Sequence, residues 1–280
     1  MRRLAGLRLA VRRRFRGVLV GARRSPRRGS SVEFAEHRPY APGDDVRRID
    51  WKVFARLESL VVKLFVAEED LTVHLLVDAS RSLSVGEPTK LETAKRIAAG
   101  LGYLALSANE RVTVVPFADG RSAFVPAGRG RKRVAELLRI LDGLEARGGT
   151  DLSGSVEAFL ARRPRPGLVV VLSDLLDPGG YERPLARLLA DRHEVVLFHV
   201  LADEELAPAR GGDVTLVDVE NGRRIDVSLD GRTLSAYRAR LTRFLEDAEA
   251  YARRRGIRYV RVEGAARFEE ALLGYLGGAS

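Results

Sequence analysis

The chain has 280 residues, of which 45% are hydrophobic, with no cysteine and a net charge of +10. That length allows one large domain, or one domain with an appendage, around a sizeable core. The lack of cysteine excludes disulfides, zinc–thiolate sites and thiol catalysis. No apolar run approaches the roughly 18 residues that cross a bilayer, and the start is too arginine-dense for a secretory signal, so a cytoplasmic chain with no transmembrane segment is expected.

The basicity is local. Residues 1–28 carry eleven arginines and no acid, and without them the net charge falls to −1. Leu4, Leu7, Val11, Phe15, Val18 and Ala22 recur at helical spacing among those arginines, which predicts a basic amphipathic helix over 1–28, ended near Pro26. Such a helix either packs its stripe on the body or meets an anionic partner, and residues 2–28 suit a membrane surface, an acidic protein or nucleic acid equally.

Residues 29–69 lack clean periodicity and are expected to form an irregular segment. Pro42-Gly43-Asp44-Asp45 reads as a turn. The only tryptophan, Trp51, stands beside Asp50, with Arg56 a few residues on, which suggests buried aromatic and ionic groups in a polar clasp.

From about residue 70 strands and helices alternate. Apolar runs predict strands over 72–77, 111–117, 168–172, 194–201 and 258–262, several of them buried on both faces. Helices are predicted over 88–108, 131–144, 153–162, 181–191 and 233–255, and residues 266–280 form a C-terminal helix or tail. This order implies an α/β domain over 70–265, with a mostly parallel sheet flanked by helices. Apolar runs on both sides of Glu220-Asn221-Gly222-Arg223 predict an inserted β-hairpin at about 213–230, with a tight turn at Asn221-Gly222.

In open parallel sheets, ligands bind beyond the carboxyl ends of the strands. Asp78-Ala79-Ser80-Arg81-Ser82 follows the first apolar run and offers a carboxylate and two hydroxyls at alternate positions. Ser173-Asp174 follows another such run, and Gly148-Gly149-Thr150-Asp151 precedes a helix. Hard oxygen ligands of this kind suit Mg²⁺ or Mn²⁺ rather than zinc. Arg81, Asp151 and Asp177 lie nearby and read as a solvent-facing side chain, a helix-start charge and a loop carboxylate.

Asp78-x-Ser80-x-Ser82, Thr150 and Asp174 resemble the metal-ion-dependent adhesion site of von Willebrand factor A domains in order and spacing. The resemblance implies a von Willebrand A-like (Rossmann-like) fold. Ser80 and Ser82 would bind an ion directly, Thr150 directly or through water, and Asp78 and Asp174 mostly through water. Mg²⁺ is the implied ion, with Mn²⁺ or Ca²⁺ as alternatives, and an acidic residue of a partner protein would complete its shell.

The preceding segment narrows the resemblance. Glu33-Phe34, Arg38-x-Tyr40-x-Pro42-Gly43-Asp44-Asp45-x-Arg47-x-Ile49-Asp50-Trp51, Ala55-Arg56 and Val62-Lys63 resemble the bacterial "domain of unknown function fifty-eight" family. The resemblance implies a non-enzymatic interaction module working with a MoxR-type AAA+ ATPase in assembling or remodelling other complexes. Many members begin with two transmembrane helices; the basic segment in their place points to a soluble form, peripheral to a membrane at most. No GxxxxGK[ST] loop or GxSxG elbow occurs. A metal-dependent hydrolase is the weaker alternative, since His37, His74, His193 and His199 lack metal-ligand spacing. Electrostatic binding of nucleic acid or a membrane surface through residues 2–28 is the other alternative.

Overall fold

The computed structural model describes residues 32–277 apart from 43, 45, 68–70, 209–211, 265 and 266. The basic helix expected over 1–28 lies outside them. The described residues form two compact units that divide between 70 and Leu71.

The first unit is more regular than its sequence suggests. Strand β1 (Val32–Pro39) pairs antiparallel with β2 (Val61–Ala67), and helix α1 (Trp51–Leu57) lies between them in the chain. A bulge between Phe34 and Glu36 interrupts the side-chain alternation, which hides the strand from a period-two reading. The Asp50 carboxylate caps α1 by accepting from Lys52 N (3.0 Å) and Val53 N (3.3 Å), while Asp44 takes the Arg38 guanidinium at 2.8 Å. The expected buried aromatic is corrected: Asp50 is buried, but Trp51 is 59% exposed, because it opens the short helix that Asp50 caps.

The second unit is an α/β sandwich. Its strands are β3 (Thr72–Asp78), β4 (Arg111–Ala118), β5 (Arg121–Ser122), β6 (Val125–Arg129), β7 (Leu168–Ser173), β8 (Glu194–Leu201) and β11 (Arg258–Glu263). They run in the order β11-β8-β7-β3-β4-β5, with β6 also paired to β4. The pairings from β11 to β4 are parallel, and the edge strands β5 and β6 are antiparallel. Central β3 and β7 are buried at every position, as continuous apolar runs require when helices cover both faces.

Successive side chains point to opposite faces. Leu76, Val115, Val169 and Val171 pack with helices α4 (Leu152–Ala161), α5 (Glu182–Ala190) and α7 (Gly231–Arg255). On the other face Leu75 approaches α2 (Lys90–Ser107) and α3 (Val134–Asp142), which meet closely at Gly102 and Leu137. Phe198 meets Tyr275 of α8 (Phe268–Gly277). Each fully buried Leu or Val contributes about 1.5–3 kcal/mol, so this double-sided core dominates the stability of the unit.

Three histidines are buried, and two of them, His74 and His199, stand on its strands. His74 donates from Nε2 to the Arg165 carbonyl oxygen at 3.0 Å and packs edge-on to Phe159, and burial lowers its pKa to about 4. His199 makes hydrogen bonds at both ring nitrogens, and burial likewise lowers its pKa to about 4. Both are neutral core residues near pH 7.

The inserted hairpin is present as β9 (Asp213–Val217) and β10 (Arg224–Ser228). Its turn differs from the expected two-residue one. Val217 pairs with Arg224, leaving a six-residue loop, Asp218 to Arg223, closed by Gly222 N to the Asp218 carbonyl (2.8 Å). Asn221 lies within that turn, and its side chain binds Asp218 and accepts from Arg223 N. The fold also has a short helix α6 (Asp203–Leu206) after β8. No helix among the described residues is long and apolar enough to cross a membrane.

Gly167 enters β7 so close to β3 that a Cβ there would run into the Thr72 carbonyl oxygen, whereas a Cβ at Gly231 meets nothing within 4 Å. Backbone cannot give as a flexible side chain can, so Gly167→Ala should lower the unfolding free energy by about 1–3 kcal/mol. Gly231→Ala should stay within about 0.5 kcal/mol of the parent. Urea denaturation of the two variants checks the difference.

Candidate metal centre

Three loops meet at the carboxyl ends of β3 and β7. The first leaves β3 at Asp78 and turns through a 3-10 segment, Arg81–Ser84. It is fixed to the second loop by backbone bonds from Arg147 N to the Ala79 carbonyl (2.7 Å) and from Arg81 N to the Gly148 carbonyl (3.0 Å). Asp119, at the end of β4, holds the second loop from its other side, accepting from Gly149 N and donating its own N–H to the Gly149 carbonyl at 2.8 Å. Gly148 has φ +72°, and a Cβ there would strike the Asp119 carboxylate, so glycine is needed at 148 for this approach. The third loop follows β7 and joins the first where Ser173 Oγ donates to Asp78 Oδ2 at 2.6 Å.

Four of the five residues expected at the site lie within this buried junction. Asp78, Ser80 and Asp174 are 0% exposed and Ser82 is nearly so. Ser80 N donates to Asp78 Oδ1 at 2.9 Å, and the Ser80 and Ser82 hydroxyl oxygens stand 2.9 Å apart. Thr150, the fifth, is half-buried on the second loop, and Glu220 of the β9–β10 turn takes its hydroxyl proton at 2.6 Å. The neighbouring residues behave as their sequence context suggests. Arg81 is exposed, Asp151 caps α4 by accepting from Gly154 N, and Asp177 accepts from Leu152 N.

The electrostatics of the junction are unusual for a protein interior. Burial, and then repulsion from Asp174, raise the Asp78 pKa to about 7. Part of the charge is balanced by Lys90, which is 2% exposed. Its ammonium reaches Asp174 Oδ2 at 2.7 Å and Glu205 Oε1 at 2.5 Å. Burial alone would lower the Lys90 pKa, but Asp174 and then Glu205 outweigh it, and the pKa is raised. The capping box Thr89–Glu92 fixes the first turn of α2 and so aims Lys90 into the junction.

Lys90, Glu205, Ser173, Asp119 and Glu220 were not read from the sequence as site residues. Lys90 did carry a signal: it stands four and seven residues before Ala94 and Ile97, on the stripe that α2 buries. The others are brought in by long-range contacts that no local pattern encodes.

The donor set fits a hard divalent cation. Among the described residues no three His, Asp or Glu side chains gather in a metal-binding group, so hydroxyls would have to complete the shell. Adjacent ligands of an octahedral ion with bonds of about 2.1 Å stand about 3 Å apart. The 2.9 Å between Ser80 Oγ and Ser82 Oγ matches that edge.

A mostly parallel sheet with helices on both faces, and hydroxyl and carboxylate loops gathered beyond its central strands, defines a von Willebrand A-like α/β domain. The chain belongs to the family described as "Protein of unknown function DUF58", which matches residues 36–251. Uncharacterized protein Rv1480 of Mycobacterium tuberculosis is 33% identical over 259 residues, covering 88% of this chain and 81% of that one. Uncharacterized protein MAV169 of Mycobacterium avium is 31% identical over 138 residues, 45% of this chain and 80% of that one. Among solved structures, BatB from Bacteroides thetaiotaomicron aligns with TM-score 0.46 at 18% identity, covering 75% of this chain and 98% of that one. Manganese-loaded Plasmodium vivax TRAP protein aligns with TM-score 0.35 at 17% identity, covering 47% of this chain and 57% of that one.

Removing the Lys90 ammonium strands a buried carboxylate. Lys90→Met in a chelated buffer should lose about 3–5 kcal/mol of stability, and Lys90→Met with Asp174→Asn should recover much of it. Urea unfolding of the single and double variants measures both; equal midpoints for Lys90→Met and the parent contradict the assignment.

Proposed function

We propose that this chain is a non-enzymatic interaction module that grips an acidic side chain of a partner protein through a divalent cation. Asp78, Ser80, Ser82, Thr150 and Asp174 hold Mg²⁺, with Mn²⁺ or Ca²⁺ as substitutes. The observation that carries this reading is the Ser80–Ser82 hydroxyl edge of 2.9 Å, set beside two fully buried carboxylates. Asp174 pairs with one buried ammonium, which it shares with Glu205, and Asp78 adds a further buried carboxylate, so the junction holds more negative than positive charge. A divalent cation corrects that imbalance.

The bound ion supplies a positive centre with a coordination position for a carboxylate from outside. The chain's own residues set how strong that centre is. Ser80 and Ser82 present neutral oxygens, which leave much of the ion's charge unneutralised. The backbone N–H of Ser80 and the Ser173 hydroxyl fix the two Asp78 oxygens, and Lys90 takes one Asp174 oxygen. These bonds reduce the negative charge that the acids can offer the ion, and so keep it receptive to a partner's acid. Binding is preferred to hydrolysis because the sequence carries no GxSxG elbow and its four histidines lack metal-ligand spacing.

The family resemblance supplies the collaborator, a MoxR-type AAA+ ATPase, with the pair assembling or remodelling other complexes in the cytoplasm. Nucleotide hydrolysis falls to that ATPase, since the chain has no phosphate-binding GxxxxGK[ST] loop. The eleven arginines of residues 1–28 favour a second role, attachment to an anionic surface.

Calorimetric titration of the full chain with MgCl₂ should show one site. The site should vanish in a Ser80→Ala/Ser82→Ala variant whose circular dichroism matches the parent. Equal binding by parent and variant, or none by either, contradicts the reading.

A further inference from the structure

The tip of the β9–β10 hairpin is built to hold one carboxylate against the metal loop. Asp218 Oδ1 accepts from Glu220 N at 2.9 Å and Asn221 N at 3.3 Å, and Asp218 Oδ2 accepts from Asn221 Nδ2 at 2.7 Å. These bonds order the six-residue loop from within. Every residue from Asp218 to Arg223 is exposed except Glu220. Glu220 turns onto Thr150 with both oxygens: Oε1 accepts from Thr150 Oγ1 at 2.6 Å, and Oε2 from Thr150 N at 3.2 Å.

This contact joins residues 70 apart in the chain. Among the described residues no Lys, Arg or His pairs with Glu220. A carboxylate is therefore brought, without a cation partner, to a loop that is bonded directly to the Asp78–Ser82 loop. Thr150 donates its hydroxyl proton to Glu220, which leaves the Oγ1 lone pairs free for a cation. An ion held by Thr150 Oγ1 at about 2.1 Å stands no more than about 5 Å from Glu220 Oε1, within reach of a small side-chain rotation.

We infer that Glu220 is a resident acidic ligand of the cation site, occupying the place a partner's carboxylate takes, so that binding a partner requires the hairpin to be displaced. This rests on the cation-site reading above and adds a competitor from within the chain. Among the described residues the hairpin strands pair only with each other, so the tip can leave without breaking the main sheet.

Magnesium itself is the probe. Glu220→Gln keeps the size of the side chain and an acceptor for Thr150, but removes the charge. Titration with MgCl₂ should show affinity roughly ten- to a hundredfold weaker in Glu220→Gln than in the parent, as for other residues that orient and charge a metal's ligands. Hydrogen exchange of the amides from 218 to 223 should slow when MgCl₂ is added to the parent and should not change in the variant. If both proteins bind Mg²⁺ equally and hairpin exchange ignores the ion, Glu220 is no ligand and the cation site stands without it. Faster hairpin exchange on adding Mg²⁺ overturns the inference in the same way. If neither the parent nor the Ser80→Ala/Ser82→Ala variant binds Mg²⁺, the cation site itself fails and the hairpin ligand fails with it.

Discussion

The organisation of the site follows from two carboxylates buried at the ends of neighbouring strands. Asp78 and Asp174 are wholly inaccessible to solvent, and desolvating a charge is costly unless the protein supplies opposite charge and hydrogen bonds. The second unit answers with Lys90 from α2, Glu205 from α6 to orient that lysine, and Ser173 and backbone N–H groups on the remaining oxygens. The answer is incomplete, which is why the Asp78 pKa rises to about 7. Electrostatic imbalance in a rigid, buried setting is a common mark of a functional position.

The sheet makes this arrangement reachable. Parallel pairing of β3 with β7 brings Val77 opposite Leu172, so the residues that follow each strand emerge side by side. The loop through Gly148 then closes over them, because only glycine at 148 permits its contact with Asp119. Apolar strands supply rigidity, and the polar residues just past their ends inherit it. Thr150 differs from the other four residues: it is half-buried at the rim, where a group from outside the core can reach it.

Much of the second unit was legible in its sequence because its signals are local. Residues 72–77, 111–117 and 168–172 read as strands, and they are. Glu194–Leu201 was bounded as observed. The Asp-x-Ser-x-Ser motif places its own oxygens, so Ser80 and Ser82 could be expected to stand together. Two kinds of feature were not legible. The β1 strand carries a bulge that resets its alternation, and β6 has both a register shift and Pro126. Glu205 and Glu220 act across 115 and 70 residues, and nothing in their own neighbourhoods marks them. The hairpin loop also departs from expectation: six residues rather than two separate the paired strands, and the longer loop is what carries Glu220 to Thr150.

The central claim is that the Ser80–Ser82 edge and the buried acids beside it form a divalent-cation site. Anomalous scattering from crystals of the full chain grown with MnCl₂ tests it most directly. One strong manganese peak is expected in contact with both Ser80 Oγ and Ser82 Oγ, flanked by Asp78 and Asp174. Manganese found only on surface carboxylates, with the two serine hydroxyls still bonded to each other, would contradict it.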